Sequence, residues 1–139
     1  MRLKDKVAIV TGGGSGFGIG ICEKFSQEGA RVIVADINLS SAKEIANAIN
    51  GTAIEVDVSD SKSMKSFSEK VFSEFGKIDI LLNNAAGNFI SPTEDLSPNA
   101  FKTVVDIVLN GTFNCTQAAG KVMRKNKDGV ILNLSLIHI

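Results

Sequence analysis

The sequence predicts an α/β fold, a doubly wound parallel sheet (Rossmann fold) truncated after about five strands. Three observations carry this expectation. Short apolar runs without polar alternation mark strands covered on both faces. Segments with apolar residues at helical spacing stand between those runs. A glycine cluster follows the first run, where a chain passing from strand to helix must turn tightly.

The first strand is read at 7–10, a continuous β-branched run closed by Thr11. Phe17, Ile21 and Phe25 then recur at helical spacing, and Gly29 supplies a stop. Residues 31–35 (RVIVA) form a second buried strand ending at Asp36. Ser41 and Glu44 have the spacing of a capping box, with Ile45, Ala46 and Ile49 as the stripe of the helix they open. A short strand at 53–56 leads to Asp60, placed to cap a helix with Met64, Phe67, Val71 and Phe75 on its apolar face, and Gly76 ends it. The fourth strand is expected at 78–82. Ser97-Pro98 reads as an N-cap followed by proline at the first helical position. The long helix from there to about Arg124 is expected to turn Phe101, Val104, Val105, Val108, Leu109 and Phe113 inward. A turn at 125–129 precedes a fifth strand at 130–134. In such sheets ligands lie at the carboxyl ends of the strands, near the switch in strand order. The polar clusters after the first four strands all fall at that edge.

Composition narrows the functional classes. The chain has 139 residues, 44 % of them hydrophobic, which fits one domain with a sizeable core. Fifteen basic residues balance 15 acidic ones, so the basic excess that drives nucleic-acid binding is missing. Cys22 and Cys115 stand far apart without a CxxC spacing, a pattern of buried thiols in a reducing compartment rather than of a metal site or disulfide. No signal peptide is visible, and no apolar run approaches the ~20 residues of a spanning helix. The expectation is a soluble cytoplasmic protein with a small-molecule substrate, no metal, no nucleic-acid partner and no membrane partner.

Four clusters carry chemistry. TGGGSGFG at 11–18 lies between the first strand and helix, where glycines let the backbone approach a pyrophosphate at a helix N-terminus. It matches neither GxGxxG nor a P-loop. A plain flexible turn is the competing reading. Asp36, closing the second strand, is placed to accept hydrogen bonds from a ribose 2′-OH and to repel a 2′-phosphate, favouring NAD over NADP; a capping or solvated Asp is the alternative. Asp57 and Val58 close the third strand where an adenine ring could be gripped. NNAAG at 83–87 offers amides to tie strand ends and small residues that leave room for a ribose and nicotinamide, although Asn-Asn is also ordinary turn chemistry.

Together these motifs resemble the short-chain dehydrogenase/reductase superfamily over residues 3–135. The resemblance implies an NAD(P)-dependent oxidoreductase working by hydride transfer on a carbonyl, alcohol or enoyl thioester. It implies Gly12, Ser15, Phe17 and Gly18 near the pyrophosphate, Asp36 at the ribose, Asp57 and Val58 at adenine, and Asn84, Ala85 and Ala86 beside the second ribose. Residues 3–60 resemble bacterial 3-oxoacyl carrier-protein reductases and glucose dehydrogenases. Residues 83–114 resemble 2,4-dienoyl-CoA reductases, which share the loss of the usual helix Asn (here Val108). In those enzymes the Asn of the GNF segment is catalytic, here Asn88, with Phe89 and Ser97 lining the thioester site. They generally prefer NADPH, against which Asp36 argues. Asn110 stands two places past the usual position, about 200° around a regular helix. An acyl-CoA or acyl carrier protein is the implied substrate carrier, and the long helix resembles one through which superfamily members form homo-oligomers.

The superfamily's acid–base group is a Tyr with its pKa lowered by a nearby Lys, and this sequence contains no Tyr. The family's catalytic Ser position falls on Leu136, leaving Ser135 as a substitute. The expectation is therefore an incomplete nucleotide-binding domain at 1–135. Residues 136–139 would be an atypical tail from a misassembled reading frame, with His138 as a conceivable stand-in acid. Such a chain would expose an apolar fifth strand, bind NAD weakly and turn nothing over. Two other functions compete: a non-catalytic dinucleotide-sensing domain, and a methyltransferase, which would leave Thr11-Gly12 and NNAAG unexplained.

Overall fold

Every residue of β1 (Val7–Thr11) is buried, as a strand sheathed on both faces must be. The computed structural model describes residues 1–135. The expectations for Leu136, His138 and the tail lie outside the described residues. After β1 come α1 (Phe17–Gln27), β2 (Arg31–Asp36), α2 (Leu39–Ile49), β3 (Thr52–Glu55), α3 (Ser61–Phe75) and β4 (Ile80–Asn83). A short 3-10 turn (Thr93–Asp95) precedes α4 (Pro98–Val105), a π-turn (Asp106–Asn110), α5 (Gly111–Asn126) and β5 (Val130–Asn133).

The five strands form one parallel sheet in the order β3-β2-β1-β4-β5. Ala8 pairs with Val32 on one side and Ile80 on the other, so strand order reverses about β1. Helices cover both faces. Met64, Phe67 and Val71 of α3 and Cys115, Ala119 and Met123 of α5 pack on Val7, Ile9, Ile33 and Leu81. Cys22 of α1 and Ala42 and Ala46 of α2 pack on Val10, Val32 and Val34. The doubly wound reading is what the chain adopts, and it brings the carboxyl ends of β1, β2 and β4 to one edge.

Two local expectations are corrected. The cap of α2 is Asn38, whose side chain accepts from the Ser41 N–H, and not a box built on Ser41 and Glu44. Asn and Ser are comparable caps, and Asn38 sits where the chain leaves β2 with extended dihedrals. The long helix is also not a uniform inward stripe. Phe101, Leu109 and Phe113 are 61 %, 67 % and 62 % exposed, and Val108 is exposed as well. Val104 and Val105 are half-buried. The face against the sheet is instead Gly111, Cys115, Ala119 and Met123. Small residues there let α5 lie close to the strands. On β5, Ile131 packs against the core on the α5 side, while Val130 and Leu132, and Leu134 just past the strand, remain about half exposed.

The amino end of the sheet is tied by a carboxylate. Asp79 is buried and accepts from the Val7 N–H at 2.7 Å, with Lys77 at 3.0 Å and Lys6 at 3.5 Å. Lys6 also reaches Asp128 just before β5. Burial alone would push the Asp79 carboxyl up, but the Val7 N–H and the two lysines outweigh it and hold it below the usual carboxylate range. A depressed folded-state value means a contribution present above the unfolded value near pH ~4 and lost as pH falls through the folded one. Asp79→Asn keeps an acceptor for Val7 and loses the charge. It is expected to lower stability by about 1 kcal/mol at neutral pH and to flatten acid sensitivity below pH ~4. Urea unfolding at several pH values reads both, and an unchanged acid limb refutes the assignment.

Candidate functional site

The segment between β1 and α1 runs over its own neighbours too closely for side chains. Gly12 has φ +61°, and a Cβ there would stand 2.9 Å from the Ala85 Cα. A Cβ on Gly18 would collide with the Gly12 carbonyl oxygen and lie 2.8 Å from the Gly13 Cα. Gly18 therefore acts by letting α1 begin against the turn, whereas Gly12, Ser15, Gly16 and Phe17 line the cleft beyond. Gly16 caps α1 with no side-chain hydrogen bond, and the first turn holds no acidic residue. That end offers partial positive charge to an anion.

Asp36 closes directly on this turn at the wall of the cleft. Its Oδ2 accepts from the Gly14 N–H at 3.0 Å and its Oδ1 from the Asn38 N–H at 3.0 Å. Each oxygen retains acceptor capacity toward the cleft. The same carboxylate thus shapes the glycine turn and presents negative charge where a ligand would lie.

Asp57 and Val58 form another wall. Asp57 Oδ1 accepts from both the N–H and the hydroxyl of Ser59, folding the segment back toward the Asp60 cap of α3. The third wall comes from the end of β4. Thr11 Oγ1 donates to the Leu82 carbonyl and accepts from the Asn84 and Ala85 N–H groups. Asn84 Nδ2 returns hydrogen bonds to the Thr11 and Gly12 carbonyls. Asn84 thus clamps the glycine turn to β4, a role visible in the fold beside the ribose contact expected of it. Asn83 donates to Thr116 and Asn133, while its buried Oδ1 has no hydrogen-bond partner among the described residues.

The resulting cleft holds about 400 Å³ and contains Gly12, Ser15, Phe17, Asp36, Asp57, Val58, Asn84, Ala85 and Ala86 along one continuous surface. Such a volume suits an extended small ligand. Its far side is the π-turn, through Ile107 and Val108, with Thr112 following. Thr112 Oγ1 donates to the Val108 carbonyl at 2.6 Å across this widened turn. Asn110 points elsewhere and donates to Asp106.

Other expected residues stand outside this lining. Asn88 and Phe89 are exposed in the loop after β4. Ser97 is exposed and accepts from the Ala100 N–H as the cap of α4. Ser135 is exposed past β5, where Leu134 rather than Ser135 borders the cleft. Sequence reasoning missed Thr11 as a hub, Ile107 and Thr112 as lining, and Asn114, whose Nδ2 donates to the Val58 carbonyl. Only Thr11 carried a signal, as the polar residue that closes an apolar strand. Burial pushes both the Cys22 and Cys115 thiols up to about 12, with Glu23 adding to the effect at Cys22. Both are free and buried, and neither is poised as a nucleophile.

Comparison with known proteins gives the same outline. The profile of the short chain dehydrogenase family matches residues 6–138. A peroxisomal 2,4-dienoyl-CoA reductase from Pongo abelii is 40 % identical over 96 % of this chain and 48 % of its own length. A probable 2,4-dienoyl-CoA reductase from Bacillus subtilis is 37 % identical over 98 % of this chain and 56 % of its own. Among solved structures, a short chain dehydrogenase from Bacillus anthracis superposes with TM-score 0.90 at 42 % identity, covering 94 % of this chain and 57 % of that one. An NAD+-bound xylitol dehydrogenase superposes with TM-score 0.92 at 25 % identity, covering 96 % and 54 %. The chain spans about half the length of the curated relatives it matches.

Proposed function

Because the chain belongs to the short chain dehydrogenase family, we propose that it supplies the dinucleotide-binding half of an oxidoreductase. The observation that carries this reading is the Asp36 carboxylate fixed opposite a glycine turn at the switch in strand order. The cofactor is NAD rather than NADP, since Asp36 accepts from ribose hydroxyls and repels a 2′-phosphate. A Cβ-free Gly12 and the open start of α1 leave the pyrophosphate room against backbone N–H groups. Val58 and Asp57 flank adenine, Ser15 and Phe17 border the phosphates, and Asn84, Ala85 and Ala86 lie along the nicotinamide ribose. When bound, the cofactor supplies or accepts hydride.

The substrate class is an enoyl or 3-oxoacyl thioester, carried on coenzyme A or an acyl carrier protein. Two relatives bear the name 2,4-dienoyl-CoA reductase. Val108, where most of the superfamily has Asn, faces the cleft and supports the same branch. In this reading Asn88 is the polar catalytic group, Phe89 and Ser97 contact the thioester, and Ser135 orients the acyl carbonyl. The exposed apolar residues Phe101, Leu109 and Phe113 form the face through which the whole protein pairs with a second copy. No helix among the described residues is long and apolar enough to cross a membrane. The two buried free thiols favour a reducing compartment such as the cytoplasm.

A non-catalytic dinucleotide-binding role is the second reading, supported by a cleft whose ionisable side chains, Asp36 and Asp57, already accept from backbone N–H groups. Titration of NADH and NADPH against the purified chain tests the first part. The expected result is at least ~10-fold tighter binding of NADH, the worth of about 1.4 kcal/mol. Equal affinities would remove the assignment of Asp36. Supplying a 2,4-dienoyl-CoA tests the second part: this chain is expected to leave NADH unoxidised, and steady oxidation would show that an acid other than Tyr suffices.

A further inference from the structure

The wall formed by Val58 is held from an unexpected direction. Val58 is only 8 % exposed, and the turn around it is short. Most of its hydrogen bonds are local or come from β2. The Val56 N–H donates to the Asp36 carbonyl, the Asp60 N–H donates to the Asp57 carbonyl, and the Asp57 N–H reaches Ser63 at 3.4 Å. The Val58 carbonyl is bonded from across the fold, where Asn114 Nδ2 donates to it at 2.9 Å from α5. One turn earlier on the same helix, Gly111 is buried directly against the Val58 side chain. A Cβ at Gly111 would lie 2.8 Å from Val58 Cγ2. Positions three apart share a helix face, so α5 grips Val58 at two points, its backbone oxygen and its methyl groups.

That grip matters because of what Val58 does. A carbonyl in a turn has many orientations, and each one rotates the attached side chain with it. With the carbonyl pinned by Asn114 and the methyl groups stopped by Gly111, the apolar surface of Val58 is fixed in the cleft before any ligand arrives. Pre-forming a wall in this way removes ordering cost from binding. We infer that Asn114 is a positioning residue for the adenine end of the cofactor: it touches no ligand and acts through Val58. The inference rests on the reading of this cleft as a dinucleotide site.

The test uses the chain as it stands, with ADP-ribose as ligand, and compares Asn114→Ala with Asn114→Gln. Calorimetric titration is expected to show ADP-ribose binding weakened by about 3- to 10-fold in Asn114→Ala, the worth of one neutral hydrogen bond. Asn114→Gln, which retains an amide donor, is expected to recover at least half of that loss. Amide hydrogen exchange supplies a readout independent of ligand. The Ser59 and Asp60 amides are expected to exchange faster in Asn114→Ala, with the amides of β1 unchanged. Binding within twofold of the parent, or exchange unaltered at 59 and 60, overturns the inference. So does a uniform rise in exchange across β1, which would mean a general loss of stability. If the parent chain binds no ADP-ribose while Asn114→Ala still frees the Val58 turn, the cofactor reading fails and Asn114 is left as a support of that turn alone.

Discussion

Gly18→Val is expected to cost at least ~3 kcal/mol of stability and to abolish NADH binding. The Gly12 carbonyl oxygen occupies the volume that any Cβ would need, and the Gly13 Cα lies 2.8 Å from it on a second side. Both obstacles are backbone, so no rotamer change relieves them. Relief requires α1 to withdraw from β1. That withdrawal would break the contact of Cys22 with Val10 and Val34 in the core on that face. Overpacking of a dense site typically costs 1–3 kcal/mol, and a backbone clash sits at or above that range. Gly20, two residues on, has open space where a Cβ would stand. Gly20→Ala is therefore the control, expected to be neutral or stabilising in a helix interior. Urea unfolding of the two variants decides the matter. A Gly18→Val protein as stable as the Gly20→Ala protein would contradict the packing described for this turn.

Asp36→Ala is expected to weaken NADH binding by about 10- to 100-fold and to leave NADPH binding unchanged or improved. A hydrogen bond to a charged acceptor is worth about 1.5–3 kcal/mol, which gives that range. Part of the loss has a different origin. Asp36 also receives the Gly14 and Asn38 N–H groups, so its removal loosens the glycine turn and the entry to α2. The two causes separate by ligand. Loosening lowers affinity for both dinucleotides, whereas loss of the ribose contact lowers it for NADH alone and lifts the repulsion of the 2′-phosphate. The protein has no Trp or Tyr, so NADH fluorescence can be followed without a competing intrinsic signal. Parallel losses for both cofactors would show that Asp36 serves the turn rather than the ribose.

The parts of this fold that were legible in the sequence are those where burial dictates composition. A central parallel strand must be apolar at every position, so β1 and β2 stood out as unbroken runs, with ends misplaced by a residue or less. The alternation of such runs with helical stripes left few topologies open. The meeting of the glycine turn and Asp36 in one cleft was legible because each stands at the carboxyl end of a strand beside the switch in strand order. What failed was anything requiring knowledge of a partner surface. Phe101, Leu109 and Phe113 have the period of a core face, and they lie outward because periodicity identifies an apolar face without saying what covers it. Asn114 was invisible for a related reason. Its one informative contact is to a backbone oxygen 56 positions away, and no local pattern encodes such a pair.

The π-turn at Asp106–Asn110 has a bearing on how this sequence can change length. A regular helix advances about 100° per residue, and a π-turn absorbs one extra residue without displacing the helix beyond it. Upstream lies the exposed segment with Phe101; downstream lie Gly111, Asn114, Cys115, Ala119 and Met123, which meet Val58 and the sheet. Removing one residue between 106 and 110 would restore ideal helical geometry and leave these contacts close to their targets, whereas the same deletion within α5 would rotate those beyond it by about 100°. The locally irregular turn is thus what keeps two stretches of helix in phase with different neighbours. A single-residue deletion should therefore be tolerated in this turn and excluded from the regular helix that follows it.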